Sequence, residues 1–198
     1  IKVHQSELDR LERENRAKKH LALGKYTTAS IYSGAGILDY AIHMGFEDAG
    51  IKAKPVLAFE INEVASKINA ACNPIWGSSG VNPTIIVDDI EQFPLKTISQ
   101  KVDHLVIGQP CTPYSSLTKQ DKRDIWHPDG HLYLGTIAAI AEINPSTICL
   151  ECTVGFKDSI AYEAICHALK RRGYRYKTTT LNGNDYGGFE TRERFCLF

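Results

Sequence analysis

From Thr27 onward, short apolar runs alternate with helical patterns, and this alternation constrains the fold more than any other feature of the chain. Thr28–Ser33, Pro55–Phe59, Thr84–Val87, His104–Ile107 and Thr147–Leu150 are rich in apolar and β-branched residues, as strands covered on both faces require. Between them, Leu38–Met44, Glu63–Ala71, Leu132–Ile143 and Ile160–Arg171 follow the helical period. Tyr174–Leu181 and Arg194–Phe198 read as a final strand pair. Such alternation builds an α/β fold, here a mostly parallel sheet closed by an antiparallel hairpin, with helices on both faces. Ligands in these sheets sit beyond the carboxyl ends of the strands. The residues just after each strand are therefore where chemistry is expected.

The first 25 residues stand apart. Ser6 followed by Asp9 resembles a capping box, and the charged stretch to Lys19 then reads as a solvated lead-in helix. Leu8 and Leu11 are too few for a coiled-coil seam. Residues 26–198 are long enough for one well-buried domain. Lys plus Arg and Asp plus Glu number 23 each, so the net charge is zero. Any nucleic-acid site must then be a local patch, or must draw on residues outside this chain. No apolar run approaches the roughly 20 residues that span a bilayer, and the charged start lacks a signal core, so nothing suggests secretion. The six cysteines show neither a disulfide framework nor a zinc pattern, and Cys149 and Cys152 read as a buried, reduced pair, from which a cytoplasmic protein is expected, nucleoid-associated if prokaryotic.

The strand ends carry a consistent set of residues. Ser33-Gly34-Ala35-Gly36 follows the first strand, and small residues there let the backbone approach a ligand at the start of a helix. Glu60 ends the second strand, where an acid can meet ribose hydroxyls. Asp88, Asp89 and Ile90 end the third, suited to an adenine edge. Each acid alone could equally cap a helix, but the three in order imply a nucleoside cofactor. The fourth strand runs into Gly108-Gln109-Pro110-Cys111-Thr112-Pro113-Tyr114-Ser115, which places a thiol in a ligand-edge loop. The fifth ends at Glu151. The last hairpin carries Asp185-Tyr186-Gly187 and then Arg192-Glu193-Arg194, an R-x-R pair whose side chains share one face of a strand.

From Ala29 to Phe198 these residues resemble the C5-cytosine methyltransferase family. The S-G-x-G turn, the acid after strand two, the D-I pair, the P-C loop, the acid after strand five and D-Y-G with R-x-R all occur in family order. The resemblance implies the Rossmann-like fold of S-adenosylmethionine-dependent methyltransferases, with S-adenosyl-L-methionine as cofactor and DNA bearing a flipped cytosine as partner. It implies that Cys111 attacks carbon 6 of the base, raising electron density on carbon 5, which takes the methyl group. Glu151 would contact ring nitrogen 3 and the amino group, Arg194 the carbonyl oxygen, and Arg192 would stand beside it. Cofactor contacts would come from Tyr32, Gly34, Gly36, Glu60, Ile61, Asp89, Ile90, Pro110 and Leu132. The loop after Cys111, with Ser115, Lys119 and Arg123, corresponds to a mobile segment that closes over nucleic acid. Lys170, Arg171 and Arg172 read only as a cationic helix end stopped by Gly173.

The chain departs from the family at Ile37, commonly Gly, and at Cys152-Thr153, commonly Asn-Val and next to the nucleophile loop. Glu190 replaces a common Gln, and Ala138 a frequent Arg. The chain starts at Ile1 and stops just after the R-x-R strand, so a target-recognition region is expected beyond it or on a separate chain. Two alternatives stay open: a tRNA cytosine-5 methyltransferase of the same family, and a catalytically silent DNA-binding subunit. A nicotinamide dehydrogenase would leave Cys111, Glu151 and the R-x-R pair unexplained.

Overall fold

One seven-stranded sheet organises the chain, in a computed structural model that describes residues 2–78, 84–98 and 101–198. The strands are β1 (Tyr26–Ile31), β2 (Ala53–Phe59), β3 (Ile85–Ile86), β4 (His104–Gly108), β5 (Thr147–Cys152), β6 (Thr178–Asn182) and β7 (Glu193–Leu197). Their spatial order is β3-β2-β1-β4-β5-β7-β6. The first five run parallel, while β7 enters antiparallel to both β5 and β6. The helices are α1 (Lys2–Ala22), α2 (Ile37–Asp48), α3 (Glu63–Cys72), α4 (Pro74–Ser78), α5 (Tyr133–Ile143) and α6 (Ile160–Arg171). Among the described residues no helix is long and apolar enough to cross a membrane.

Strand boundaries follow local chemistry. β1 ends before the expected Ser33 because Tyr32 takes a left-handed conformation (φ 52°) and Ser33 N–H crosses to the Phe59 carbonyl. Pairing of β1 with β2 slips by one residue beside Pro55, whose nitrogen cannot donate to the ladder. β6 starts four residues later than Tyr174. Gly173 (φ 77°) closes α6, and Tyr174 turns inward, its hydroxyl donating to the Pro145 carbonyl at 2.5 Å.

The two faces of the sheet differ in chemistry. On one, Ile31, Phe59, Leu105, Ile107, Leu150 and Phe195 pack with Ile140, Ile165 and Leu169 of α5 and α6 in a continuous apolar core. On the other, Thr28 and Ser30 meet Asp39 and His43 of α2, all buried, beside a small cluster of Ala58, Ile75 and Trp76. Burying polar groups is tolerable only where they are paired, and these are paired side chain to side chain. Cys149 and Cys152 are buried and free, as expected.

Two expectations for the N-terminal segment need correction. Ser6 does not start the helix, because α1 already runs from Lys2. Nor is α1 merely solvated: Arg13, Arg16 and His20 form one stripe that docks on the amino ends of the strands. Arg13 is nearly inaccessible, donating to Asn144 Oδ1 at 2.9 Å and the Arg172 carbonyl at 2.7 Å. Arg16 and His20 both reach Asp103, which is fully buried.

Candidate active site

The order of strands reverses between β1 and β4, the place where open α/β sheets bind ligands. Two cavities lie there, of about 470 and 340 Å³. They share Tyr32, Gly108 and Pro110 as a common wall, so a group in one lies next to a group in the other.

The larger cavity gathers the residues expected to meet a nucleoside. Tyr32, Glu60, Ile61, Asp89, Ile90, Pro110 and Leu132 line it, joined by Phe59, Asp88, Gly108, Asp129 and His131. Glu60 also shapes the site, because its carboxylate accepts Gly34 N–H at 2.7 Å and Asn62 N–H at 2.8 Å. Asp89 has a similar double duty. Its oxygens accept Glu91 N–H at 3.0 Å and the Gln92 amide at 2.9 Å, pinning the turn that follows β3. Ile90 is buried, whereas Ile61 is 67% exposed at the rim, an apolar surface open to a planar ligand. Gly34 and Gly36 adopt positive φ in the turn, though neither is among the residues lining the two cavities. Asp129 and His131 escaped the sequence reading, since they lie in a loop without periodicity; their position just before Leu132 was the available signal.

Tyr32 is the hub between the cavities. Its hydroxyl donates to the Leu132 carbonyl at 2.6 Å, tying the end of β1 to the start of α5. Two glycines make room for it: a Cβ on Gly108 would lie 2.7 Å from the Tyr32 carbonyl oxygen, and one on Gly135 would lie 2.6 Å from its hydroxyl. Burial and the nearby Glu91 carboxylate both push the Tyr32 phenol well above its ordinary range, so it stays a hydrogen-bond donor.

The smaller cavity brings together Cys111, Glu151, Arg192 and Arg194, with Ser33, Ala35, Ile37, Leu38 and Gln109. The parallel ladder aligns Gly108 with Glu151, and Gln109 N–H extends it by donating to the Glu151 carbonyl at 3.1 Å. Cys111 follows on a short 3₁₀ turn (Thr112–Tyr114) and is exposed to the cavity. Antiparallel pairing sets Cys196 opposite Glu151, which carries Arg194 to the same edge. Arg194 Nε lies 2.8 Å from Glu151 Oε1. Burial nevertheless raises the Glu151 carboxyl pKa, against the lowering pull of Arg194 and Arg192. Gln109 was also missed by the sequence reading. It is buried, and its Oε1 accepts the Thr136 hydroxyl at 2.6 Å, bracing the nucleophile loop against α5.

The loop after Cys111 holds the three residues expected to face nucleic acid, and they differ in availability. Arg123 is engaged within the loop, donating to the carbonyls of Thr118 and Ser116, both at 2.7 Å. Ser115 Oγ accepts Leu117 N–H at 3.2 Å. Lys119 caps the short turn Gln120–Lys122 through its carbonyl, and its residue is exposed. Leu117 (95%) and Trp126 (76%) stand out in the same loop. The departures at Cys152 and Thr153 leave the first in the apolar core, its thiol pushed up to about 12 by burial.

Comparison with known proteins identifies the family. The family model described as C-5 cytosine-specific DNA methylase matches residues 26–198. A type II methyltransferase, M1.BsuMI of Bacillus subtilis, is 23% identical over 202 residues, covering 95% of this chain and 46% of its own length. The tRNA (cytosine(38)-C(5))-methyltransferase of Schizosaccharomyces pombe is 24% identical, covering 88% of this chain and 50% of that protein. The crystal structure of a Spodoptera frugiperda DNMT2 mutant superposes with a TM-score of 0.66 at 22% identity, covering 87% of this chain and 49% of that one. The chain thus spans about half the length of the relatives it matches. With its family model matching residues 26–198, the chain belongs to the C-5 cytosine-specific DNA methylase family.

Proposed function

We propose that this chain is the catalytic core of a DNA (cytosine-5)-methyltransferase that works through a covalent Cys111 adduct. The observation that carries the reading is the meeting of Cys111, Glu151, Arg192 and Arg194 in one cavity, sharing a wall with the nucleoside-sized cavity. Members of the family draw their methyl group from S-adenosyl-L-methionine, and the larger cavity fits it. Acids at Glu60, Asp88, Asp89 and Asp129 suit ribose hydroxyls, an adenine amine and a cationic sulfonium, while exposed Ile61 offers an apolar surface to the purine. When bound, that cofactor supplies an electrophilic methyl group.

The protein's own residues then prepare the base. The thiolate is the nucleophilic form of cysteine, and Cys111 shares its cavity with Arg192 and Arg194. Cys111 sulfur bonds to carbon 6, and the ring electrons move toward carbon 5. Glu151, held by Arg194 and raised in pKa by burial, offers a proton to ring nitrogen 3 and relieves the charge that builds there. After carbon 5 is methylated, a solvent base takes its proton, the electron pair re-forms the carbon 5–carbon 6 double bond as the carbon–sulfur bond breaks, and nitrogen 3 returns its proton to Glu151, leaving the cysteine as thiolate and the ring aromatic. Carbon 6 is shielded inside a stacked duplex, so the target base must be extruded to reach this cavity. A partner region outside this chain is proposed to select the target sequence.

The tRNA enzyme among the relatives favours a second reading, methylation of cytosine in tRNA on the same site. Transfer of labelled methyl to DNA and, in parallel, to tRNA separates the two. Label on DNA that vanishes with Cys111→Ser supports the first reading, and label on tRNA alone replaces it with the second. Label that survives Cys111→Ser, or none on either substrate, would overturn the proposed mechanism for this chain.

A further inference from the structure

The buried stripe of α3 is polar along its whole length. Ser66, Asn69 and Asn73 recur at helical spacing, and all three are buried. A helix normally turns apolar side chains toward a core, and a buried amide is costly unless it is bonded. Here every amide is bonded, and the bonds converge on the turn between β1 and α2. Asn73 Nδ2 donates to the Gly36 carbonyl at 3.0 Å and to Asn69 Oδ1 at 3.0 Å. Trp76 Nε1 donates to the same Asn69 oxygen at 3.1 Å, and Asn69 Nδ2 reaches Ser33 Oγ at 3.4 Å. Ser66 Oγ shares its proton between the Asn62 carbonyl at 2.9 Å and, at 3.3 Å, the carbonyl of Glu60, the acid whose carboxylate holds Gly34 N–H.

The fit is close enough to dictate residue choice in the turn. Gly36 has φ 81°, and a Cβ there would lie 2.2 Å from Asn73 Nδ2 and 2.5 Å from Asn69 Oδ1. Gly36 is thus required both by its backbone and by the amides packed under it. An apolar stripe would fill the same space, but it would leave the Gly36 carbonyl and Ser33 hydroxyl without these partners.

We propose that Asn69 and Asn73 are positioning residues for the cofactor turn: they fix Ser33–Gly36 and, with Ser66, the backbone of Glu60, in the shape that receives S-adenosylmethionine. This inference rests on the cofactor reading above and extends it to residues that do not line the cavity. The test is calorimetric titration of the chain with S-adenosylhomocysteine, alongside melting curves and amide spectra of Gly34 and Gly36. Asn73→Ala should weaken binding about tenfold, the equivalent of one buried hydrogen bond, and should move both glycine resonances before any ligand is added. Ser33→Ala keeps the buried stripe intact and removes only the Asn69 contact. It should lose a few-fold in affinity at an unchanged melting temperature, and it serves as the test if Asn73→Ala does not fold. Folded variants that bind as the wild type does would overturn the positioning role alone. A wild-type chain that fails to bind S-adenosylhomocysteine would overturn the cofactor reading together with it.

Discussion

Glu151 and Arg194 stand on neighbouring antiparallel strands with Nε and Oε1 2.8 Å apart, yet the carboxyl pKa is raised. Burial therefore outweighs the ion pair. That direction suits the proton transfer to the base proposed for this carboxyl. Glu151→Gln keeps an oxygen for Arg194 but has no proton to transfer. Methyl transfer should fall by roughly 10²-fold or more, while the melting temperature stays near that of the wild type. A variant with near-normal transfer would remove Glu151 from the chemistry.

Gly135 separates helix stability from cofactor binding. Alanine is the better helix former by up to about 1 kcal/mol, so Gly135→Ala should not unfold α5. Its methyl group, however, would lie 2.6 Å from the Tyr32 hydroxyl and 2.8 Å from Ile90 Cγ2. The ring of Tyr32 must then leave its seat on the Leu132 carbonyl, disturbing the wall that both cavities share. The expected result is a several-fold weaker affinity for S-adenosylmethionine with a helix that still forms and a somewhat lower melting temperature, because overpacking beside buried Ile90 outweighs the gain in helix propensity. Unchanged affinity would show that the Tyr32 seat does not matter for the cofactor.

The strands, the order of the site residues and the family were legible because each rests on a local pattern. Alternating apolar runs mark β1, β4 and β5, and Pro110-Cys111, Glu151 and Arg192-x-Arg194 each fall at a strand end. What was illegible depends on contacts between distant segments. The polar stripe of α3 looks like an ordinary mixed helix until Asn73 is seen under Gly36, 37 residues away in sequence. Likewise, the charges of α1 suggest a solvated helix, because nothing local reveals that Asp103 is buried and waiting for Arg16 and His20. Arg123 adds a contact that its charge alone does not reveal: its guanidinium bonds the Thr118 and Ser116 carbonyls within its own loop.

Acid dependence of stability should carry two opposed signatures from the polar face of the sheet. Burial pushes the Asp39 carboxyl up to about 7, so the folded chain holds this proton longer than the unfolded chain does. Its stabilising share is full below the ordinary value of 3.8 and is lost as pH rises through about 7. Each tenfold difference in proton affinity between the two states is worth roughly 1.4 kcal/mol. His43 and His104 are pushed down to about 4 by burial. Their share is present above 6.5 and is lost as pH falls through about 4. The two trends oppose each other between pH 4 and 7 and flatten the wild-type profile. Asp39→Asn removes one of them, so the variant should gain on the wild type as pH rises across that window. Urea unfolding at a series of pH values measures this, and parallel profiles would refute the assignment.

α1 is tied to the far end of the sheet from the site through Asp103. Asp103 is inaccessible to solvent, and its carboxylate accepts Thr27 N–H at 3.0 Å, the Thr27 hydroxyl at 3.1 Å, His20 Nδ1 at 2.7 Å and Arg16 Nε at 3.4 Å. Arg16 also donates to the Val102 and Asn144 carbonyls, at 3.1 and 2.7 Å. Removing Arg16 and His20 together leaves a buried carboxylate that, among the described residues, keeps only Thr27 N–H and a Thr27 hydroxyl shared with the Lys101 carbonyl at 2.7 Å, and breaking a buried pair in this way costs roughly 3 kcal/mol. In Arg16→Ala/His20→Ala, urea unfolding should report a loss of about that size. Adding Asp103→Asn should recover part of it, because a neutral amide needs no counter-charge. Affinity for S-adenosylhomocysteine should stay unchanged, since this cluster sits at the amino ends of the strands and both cavities at their carboxyl ends. If the triple variant were less stable than the double, the cost would come from lost packing of α1 rather than from an uncompensated charge.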